Sequence, residues 1–326
     1  MTTRRDVSTP PAPGPLVWPI IARLKPDIRS FAGHTNTVPD IVGRIGPPPS
    51  LVIFTEGNHF MALLSDEIMG AFPPWAKSQT RYADLDLDNV IVVTLPQPIV
   101  VQMVQTGGIA LGNLTLEVNR AFGFYPDIVM GGPDPLRQLC AAGVIERQAR
   151  LFSKSRGFAL LVRRGNPLGI RCLADVARVD ARLCQADSVE TGARNRNRAV
   201  VEALIGKNAA DAFFSAEIEH FPGRLGIMHR DVPEMLVRSY ADVGFVQYHL
   251  ASYYTRTFPD DFELVPIAEA ERFPVNIGFA RAIEPLRPYA VEAFEQFFFD
   301  RARNTYPQYD FAPMDDDGYG AALALN

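Results

Sequence analysis

Three histidines, His59, His229 and His249, fall in stretches that read as loops at strand ends, not on apolar helix faces. Imidazoles joined by a carboxylate such as Glu56 or Asp231 are the donor set of a zinc, nickel or iron site, although no short local ligand spacing links them. A second chemistry draws on hydroxyl, amide and guanidinium donors. Thr55, Asn58, Thr94, Gln97, Arg194, Arg196, Arg230 and Tyr248, together with the same histidines, suit an oxyanion or a small carboxylate. Each residue also has a plainer role. Thr55, Asn58 and Asp231 are helix-capping types, Glu56 is a helix-start charge, Thr94 and Gln97 sit where a cap is needed, and Arg194, Arg196 and Arg198 form a solvated helix face. Both sets of roles stay open on the residues alone.

Catalytic signatures are missing from the chain. There is no GxSxG, HExxH, Walker A loop or strand-placed GxGxxG, so no motif assigns a nucleophile, a metal base or a nucleotide, and no cofactor is implied. The His229/Asp231 and Tyr248/His249 pairs have the groups for acid–base work, which keeps an enzyme open beside a non-catalytic binding protein.

These residues need elements to hold them. Leu51–Phe54 is an apolar strand followed by the polar turn 55–59, and Phe60, Met61, Leu63, Leu64, Ile68, Met69 and Phe72 fall at helical spacing. The unit repeats, with strand 89–93, loop 94–97 and helix 99–104, then strand 127–130, turn 131–134 and helix 136–142. Repeated βα units predict a mainly parallel sheet. Phe158–Val162 is a further buried strand, ended by the Gly165-Asn166-Pro167 turn. Later strands are expected at 182–186, 243–246, 264–267 and 275–280, with helices carrying Arg194, then Val232–Tyr240, and a closing helix with Tyr289, Ala293, Phe294, Phe297 and Phe298.

Composition narrows the class. The chain has 326 residues, 47% hydrophobic and 21% charged, which is enough for two domains. A formal charge of -5 argues against a nucleic-acid surface, so any anion site must be local. The uncharged stretch 89–116 is broken by Pro96, Pro98 and three glycines and reads as core, not as a membrane span. Cys140, Cys172 and Cys184 form no CxxC pair and imply no disulfide framework. The first 49 residues hold ten of the 27 prolines and predict a flexible arm that buries little. Thr3-Arg4-Arg5 hints at twin-arginine export, but Leu16–Ala22 is too short and Pro-broken for the apolar core of a signal, so this stretch by itself points to the cytoplasm or to a leader already removed.

Three passages carry a family resemblance: PDIVMGGPDPLRQLCAAGVI at 126–145, LFSKSRGFALLVRRGNPLGI at 151–170 with Leu173-Ala174-Asp175 after it, and HRDVPEMLVRSYADVGFVQYHLA at 229–251. Through them the chain resembles the type II periplasmic solute-binding proteins, in the molybdate/tungstate/sulfate-binding-like branch. The resemblance implies an α/β fold with two lobes, each a mainly parallel sheet flanked by helices, joined by two crossing strands. It places lobe 1 at 50–156 plus 272–326 and lobe 2 at 157–271, after the arm 1–49. It also implies a non-catalytic receptor, periplasmic and serving ABC-type uptake or sensing, that closes on a small anion held by Thr55, Glu56, Asn58, His59, Thr94, Gln97, Arg194, Arg196, His229, Arg230, Tyr248 and His249. The family's first loop is rich in small hydroxyl residues, whereas this chain has Glu56 there, whose charge opposes an anion.

Overall fold

The computed structural model describes residues 28–29, 41–44, 46–111, 114–186, 190–218 and 229–325. Most of the Pro-rich segment, with Thr3-Arg4-Arg5 and Leu16–Ala22, lies outside these residues, as does the start of the loop before Thr191. The described chain divides into two compact units, one built from residues 28–29, 41–154 and 275–325, the other from residues 155–274.

In the first unit an eight-stranded sheet has the order β1-β2-β4-β3-β7-β13-β8-β14. Its strands are β1 (Ile28–Arg29), β2 (Ile41–Val42), β3 (Leu51–Thr55), β4 (Val90–Val93), β7 (Ile128–Gly131), β8 (Gln148–Lys154), β13 (Asn276–Arg281) and β14 (Ala322–Ala324). β5 (Gly108–Leu111) and β6 (Leu114–Glu117) form a separate antiparallel hairpin. β3 is apolar because it is central, with all of its residues buried, and it pairs in parallel with β4 and with β7. Helices Gln97–Thr106 and Pro133–Ala141 follow β4 and β7, each with proline in its first turn, where the missing N–H has no helical partner to lose. Gly107, at φ 77°, ends the first of them in the left-handed region.

The parallel pairs are those of the βα repeats. β13 runs antiparallel to both β7 and β8, and β14 antiparallel to β8, so the sheet is mixed and the expectation of mainly parallel strands holds only at its centre. Strand direction is set by connections that span more than a hundred residues, which no local pattern records. Helix Pro288–Thr305 covers this unit with a row of phenylalanines. Phe294 meets Phe72 edge-on at 5.0 Å and Phe298 meets Phe152 at 4.9 Å, while Tyr289, expected in the same stripe, is exposed.

The second unit holds a four-stranded sheet of order β10-β11-β9-β12, with β9 (Phe158–Arg163), β10 (Leu183–Cys184), β11 (Val243–Gln247) and β12 (Phe262–Pro266). β10 and β11 are parallel, while β9 runs antiparallel to β11 and β12, so this sheet is mixed as well. Phe158 stacks on Phe245 at 5.0 Å across that pair. Gly157, at φ 74°, precedes β9 where a Cβ would lie 1.9 Å from the Ala270 carbonyl oxygen, so no side chain fits there. No helix among the described residues is long and apolar enough to cross a membrane.

Candidate functional site

At the carboxyl end of the parallel strands, register fixes a row of residues. Phe54 is opposite Val93 and Thr55 is opposite Met130, so Thr94 and Gly131 each begin the loop beside the one that Thr55 begins. With β3 first in sequence and its partners on opposite sides, this sheet end is a topological switch point, where connections diverge and leave a crevice. Ser153, near the end of β8, also lies at this end of the sheet and is opposite Ile277; its buried Oγ has no hydrogen-bond partner among the described residues.

The loop after β3 turns at once into the 3-10 segment Gly57–His59 and the helix Phe60–Leu63. The residue at the cap is Glu56, with no side-chain capping bond, so neither Thr55 nor Asn58 caps as their types suggest. Thr55 Oγ1 lies 2.6 Å from His59 Nε2, and His59 Nδ1 lies 2.7 Å from Tyr306 Oη. Both ring nitrogens of His59 are therefore engaged in hydrogen bonds. Burial, with Tyr319 and Glu56 adding, holds the Tyr306 phenol well above its ordinary pKa, so it keeps its proton. Tyr306 is 247 residues from His59, and no local pattern pairs them.

Gln97 opens its helix and donates from Nε2 to the Met130 carbonyl at 3.3 Å. Its amide lies so close to Gly131 that a Cβ there would stand 1.7 Å from Nε2. Gln97 thus bridges the ends of β4 and β7. Thr94 is fully buried between β4 and that helix.

In the second unit the carboxyl ends of β10 and β11 gather a different polar group. Gln185 Oε1 accepts from Asn197 Nδ2 at 2.9 Å, both residues being buried. Glu190 places its carboxylate oxygens 3.2 Å from His229 Nδ1 and accepts from the His229 backbone N–H at 3.2 Å. Burial pushes the Glu190 carboxyl up, but His229, through charge and hydrogen bonds, and Arg230 outweigh it and hold it below the usual carboxylate range. His229 Nε2 and Gln247 Oε1 are buried without hydrogen-bond partners among the described residues. Tyr248, first residue of helix Tyr248–Thr257, lies under the Arg156 guanidinium at 4.8 Å, and His249 and Arg230 are buried.

The expected residues therefore separate by surroundings. Thr55, Glu56, Asn58, His59, Thr94 and Gln97 share one sheet end in the first unit. In the second unit His229, Arg230, Tyr248 and His249 belong to elements at a sheet end, whereas Arg194 places both terminal nitrogens on Glu217 and Arg196 is exposed on the same helix. Among the described residues no three His, Cys, Asp or Glu side chains are grouped so as to hold a metal ion. Asp231 precedes helix Val232–Val237 without a side-chain capping bond. Ser153, Gln185, Glu190, Asn197, Gln247 and Tyr306 were not expected; the local signal that could have marked one of them is the carboxylate of Glu190 just before helix Thr191–Ile205.

No curated protein matches the chain in sequence. Among solved structures it is similar to the sulfate-binding protein SubI from Mycobacterium tuberculosis, at 16% identity over 82% of this chain and 88% of that one, TM-score 0.56. L-phospholactate-bound PEB3 matches at 12% identity over 81% of this chain and 100% of that one, TM-score 0.55. The substrate-binding protein of an ABC transporter from Agrobacterium tumefaciens matches at 10% identity over 86% of each chain, TM-score 0.55. At these identities the likeness is one of fold, and it is the fold of solute-binding proteins. The family model for bacterial extracellular solute-binding protein matches residues 100–309, and the chain belongs to that family.

Proposed function

We propose that this protein binds a small oxyanion, sulfate or an organic phosphate in kind, at its strand-end loops and presents it unchanged to an ABC-type transporter. The observation that carries the reading is the row formed by Thr94, Thr55 and Gly131 across three parallel strand ends, each followed by a helical segment. Helix starts bind anions with backbone N–H groups and need no net positive protein, which suits a formal charge of -5. Here Pro98, Pro133 and Pro135 remove donors from two of those starts, so the hydroxyls of Thr55 and Thr94 take a larger share. The sulfate and phospholactate of two similar structures are oxyanions, which supports the class without choosing a member.

Calorimetric titration with sulfate, phosphate, molybdate and L-phospholactate, alongside native mass spectrometry of the purified protein, tests this reading. Saturable heat with one of these anions, and a matching retained mass, is the expected result. Silence from all four, or a retained first-row metal, overturns it.

A further inference from the structure

Thr55, His59 and Tyr306 form a hydrogen-bond chain in which no residue is more than 2% exposed. A neutral imidazole has a single ring proton, so two arrangements fit the two distances. In the first, Nδ1–H donates to Tyr306 and Thr55 donates to Nε2. The phenol proton then needs another acceptor, and among the described residues Tyr306 Oη has no hydrogen bond besides that to His59. A buried O–H without an acceptor is strongly unfavourable.

In the second arrangement Tyr306 donates to Nδ1, Nε2–H donates to Thr55 Oγ1, and the Thr55 proton is left over. The acceptor recorded for it is the Glu56 carbonyl at 3.4 Å, too long for a good O–H bond. This arrangement satisfies the deeply buried group and leaves the spare donor at the sheet end where the strand loops gather. The rings of Phe152 and Phe311 stand 5.3 Å and 5.0 Å from that of Tyr306 and hold the phenol in place.

We propose that Tyr306, acting through His59, is a positioning residue that fixes Thr55 as a hydrogen-bond donor to the solute, so that this subsite takes an oxyanion oxygen bearing no proton. The inference rests on the reading of these loops as the solute site. A solute that presents O–H here meets a second donor and is rejected, which favours sulfate over a monohydrogen phosphate turned the same way.

Two measurements test it. Nitrogen-15 NMR of the wild-type protein, with the His59 signals assigned from His59→Gln, reads the tautomer directly and needs no solute. Titration of wild type, Thr55→Val, Tyr306→Phe and the double variant with inorganic sulfate, phosphate and molybdate reads the coupling. We expect the Nε2–H tautomer, a loss of about ten- to hundred-fold for Thr55→Val, about ten-fold for Tyr306→Phe, and no further loss when the two are combined. An Nδ1–H tautomer in the wild type, or a Tyr306→Phe loss that adds in full to that of Thr55→Val, overturns the relay while the solute site stands. Wild-type affinity in Thr55→Val removes Thr55 from the site and the relay with it. Failure of all three anions, and of L-phospholactate, to bind the wild type overturns the functional reading itself.

Discussion

Arg194, expected as a donor to a solute, is paired in the structure with a carboxylate of its own chain. Its position on helix Thr191–Ile205 offers a guanidinium to an anion, but both terminal nitrogens fork onto Glu217, Nη2 at 2.8 Å, and the Glu217 side chain is 5% exposed. A bidentate fork of this kind satisfies the carboxylate and leaves little for a solute. Arg194→Ala should therefore keep oxyanion affinity at the wild-type level and lower the unfolding free energy by about 1–3 kcal/mol, the cost of stripping a charge-assisted bond from a largely buried acceptor. Calorimetry and urea denaturation of the one variant give both readings, and a tenfold weaker affinity with unchanged stability would return Arg194 to the site.

Among the elements, the strands that were legible are those whose two faces are both buried. β3, β9 and β11 read as apolar runs, and the turns that end β3 and β9 carry Gly and Asn. Which neighbour each strand takes, and in which direction, depends on contacts distant in sequence, such as the carboxylate of Asp242 at the start of β11. It accepts from the Arg182 backbone N–H at 3.0 Å, from Arg182 Nε at 2.8 Å and Nη2 at 2.9 Å, and from Arg163 Nη2 at 3.2 Å, tying β10, β11 and β9 together. Burial pushes the Asp242 carboxyl up, but the hydrogen bonds and charge of Arg182, with Arg163, outweigh it and leave the pKa lowered. Asp175 is lowered to about 2, chiefly by the Arg178 side chain and then by the Arg171 backbone N–H.

A carboxylate with a folded pKa below its unfolded value stabilises the fold at every pH above the unfolded value. That contribution disappears as pH falls through the folded value. Unfolding midpoints in urea should thus hold steady down to about pH 4 and fall between about pH 4 and 2, where unfolded carboxyls take up protons before these two do. Asp242→Asn should be less stable at pH 7 and show a shallower fall across that window. An equally steep fall in the variant would mean that the strand tie contributes nothing to acid stability.

For the whole molecule, the Pro-rich beginning was the hardest part to read, because two-residue strands leave no period in a sequence. Its expected character as a segment that buries little does not extend to residues 41–44. Ile41 is fully buried in the core, β2 covers the edge of β4 with Ile41 opposite Val93, and β1 pairs with β2. Asn89, at the entrance to β4, accepts from the Arg44 backbone N–H at 2.9 Å and donates to the carbonyls of Arg44, Pro47 and Pro48 at 3.1, 3.2 and 3.3 Å. Prolines have carbonyls but no N–H, so this stretch accepts from a side chain where it cannot donate to a ladder. A chain that starts at Ile41 keeps both the apolar cover and the Asn89 partners, whereas one that starts at Pro48 loses Ile41, Val42 and most of those hydrogen bonds. Burial of one isoleucine is worth about 1.5–3 kcal/mol, and a buried amide stripped of partners adds roughly 1–3 kcal/mol. The shorter chain should therefore melt several degrees below the longer one, since about 1 kcal/mol moves the midpoint of a chain this size by about 2–4 °C. Equal melting temperatures, measured by calorimetry at one protein concentration, would show that β2 is dispensable and that the edge of β4 is stable without it.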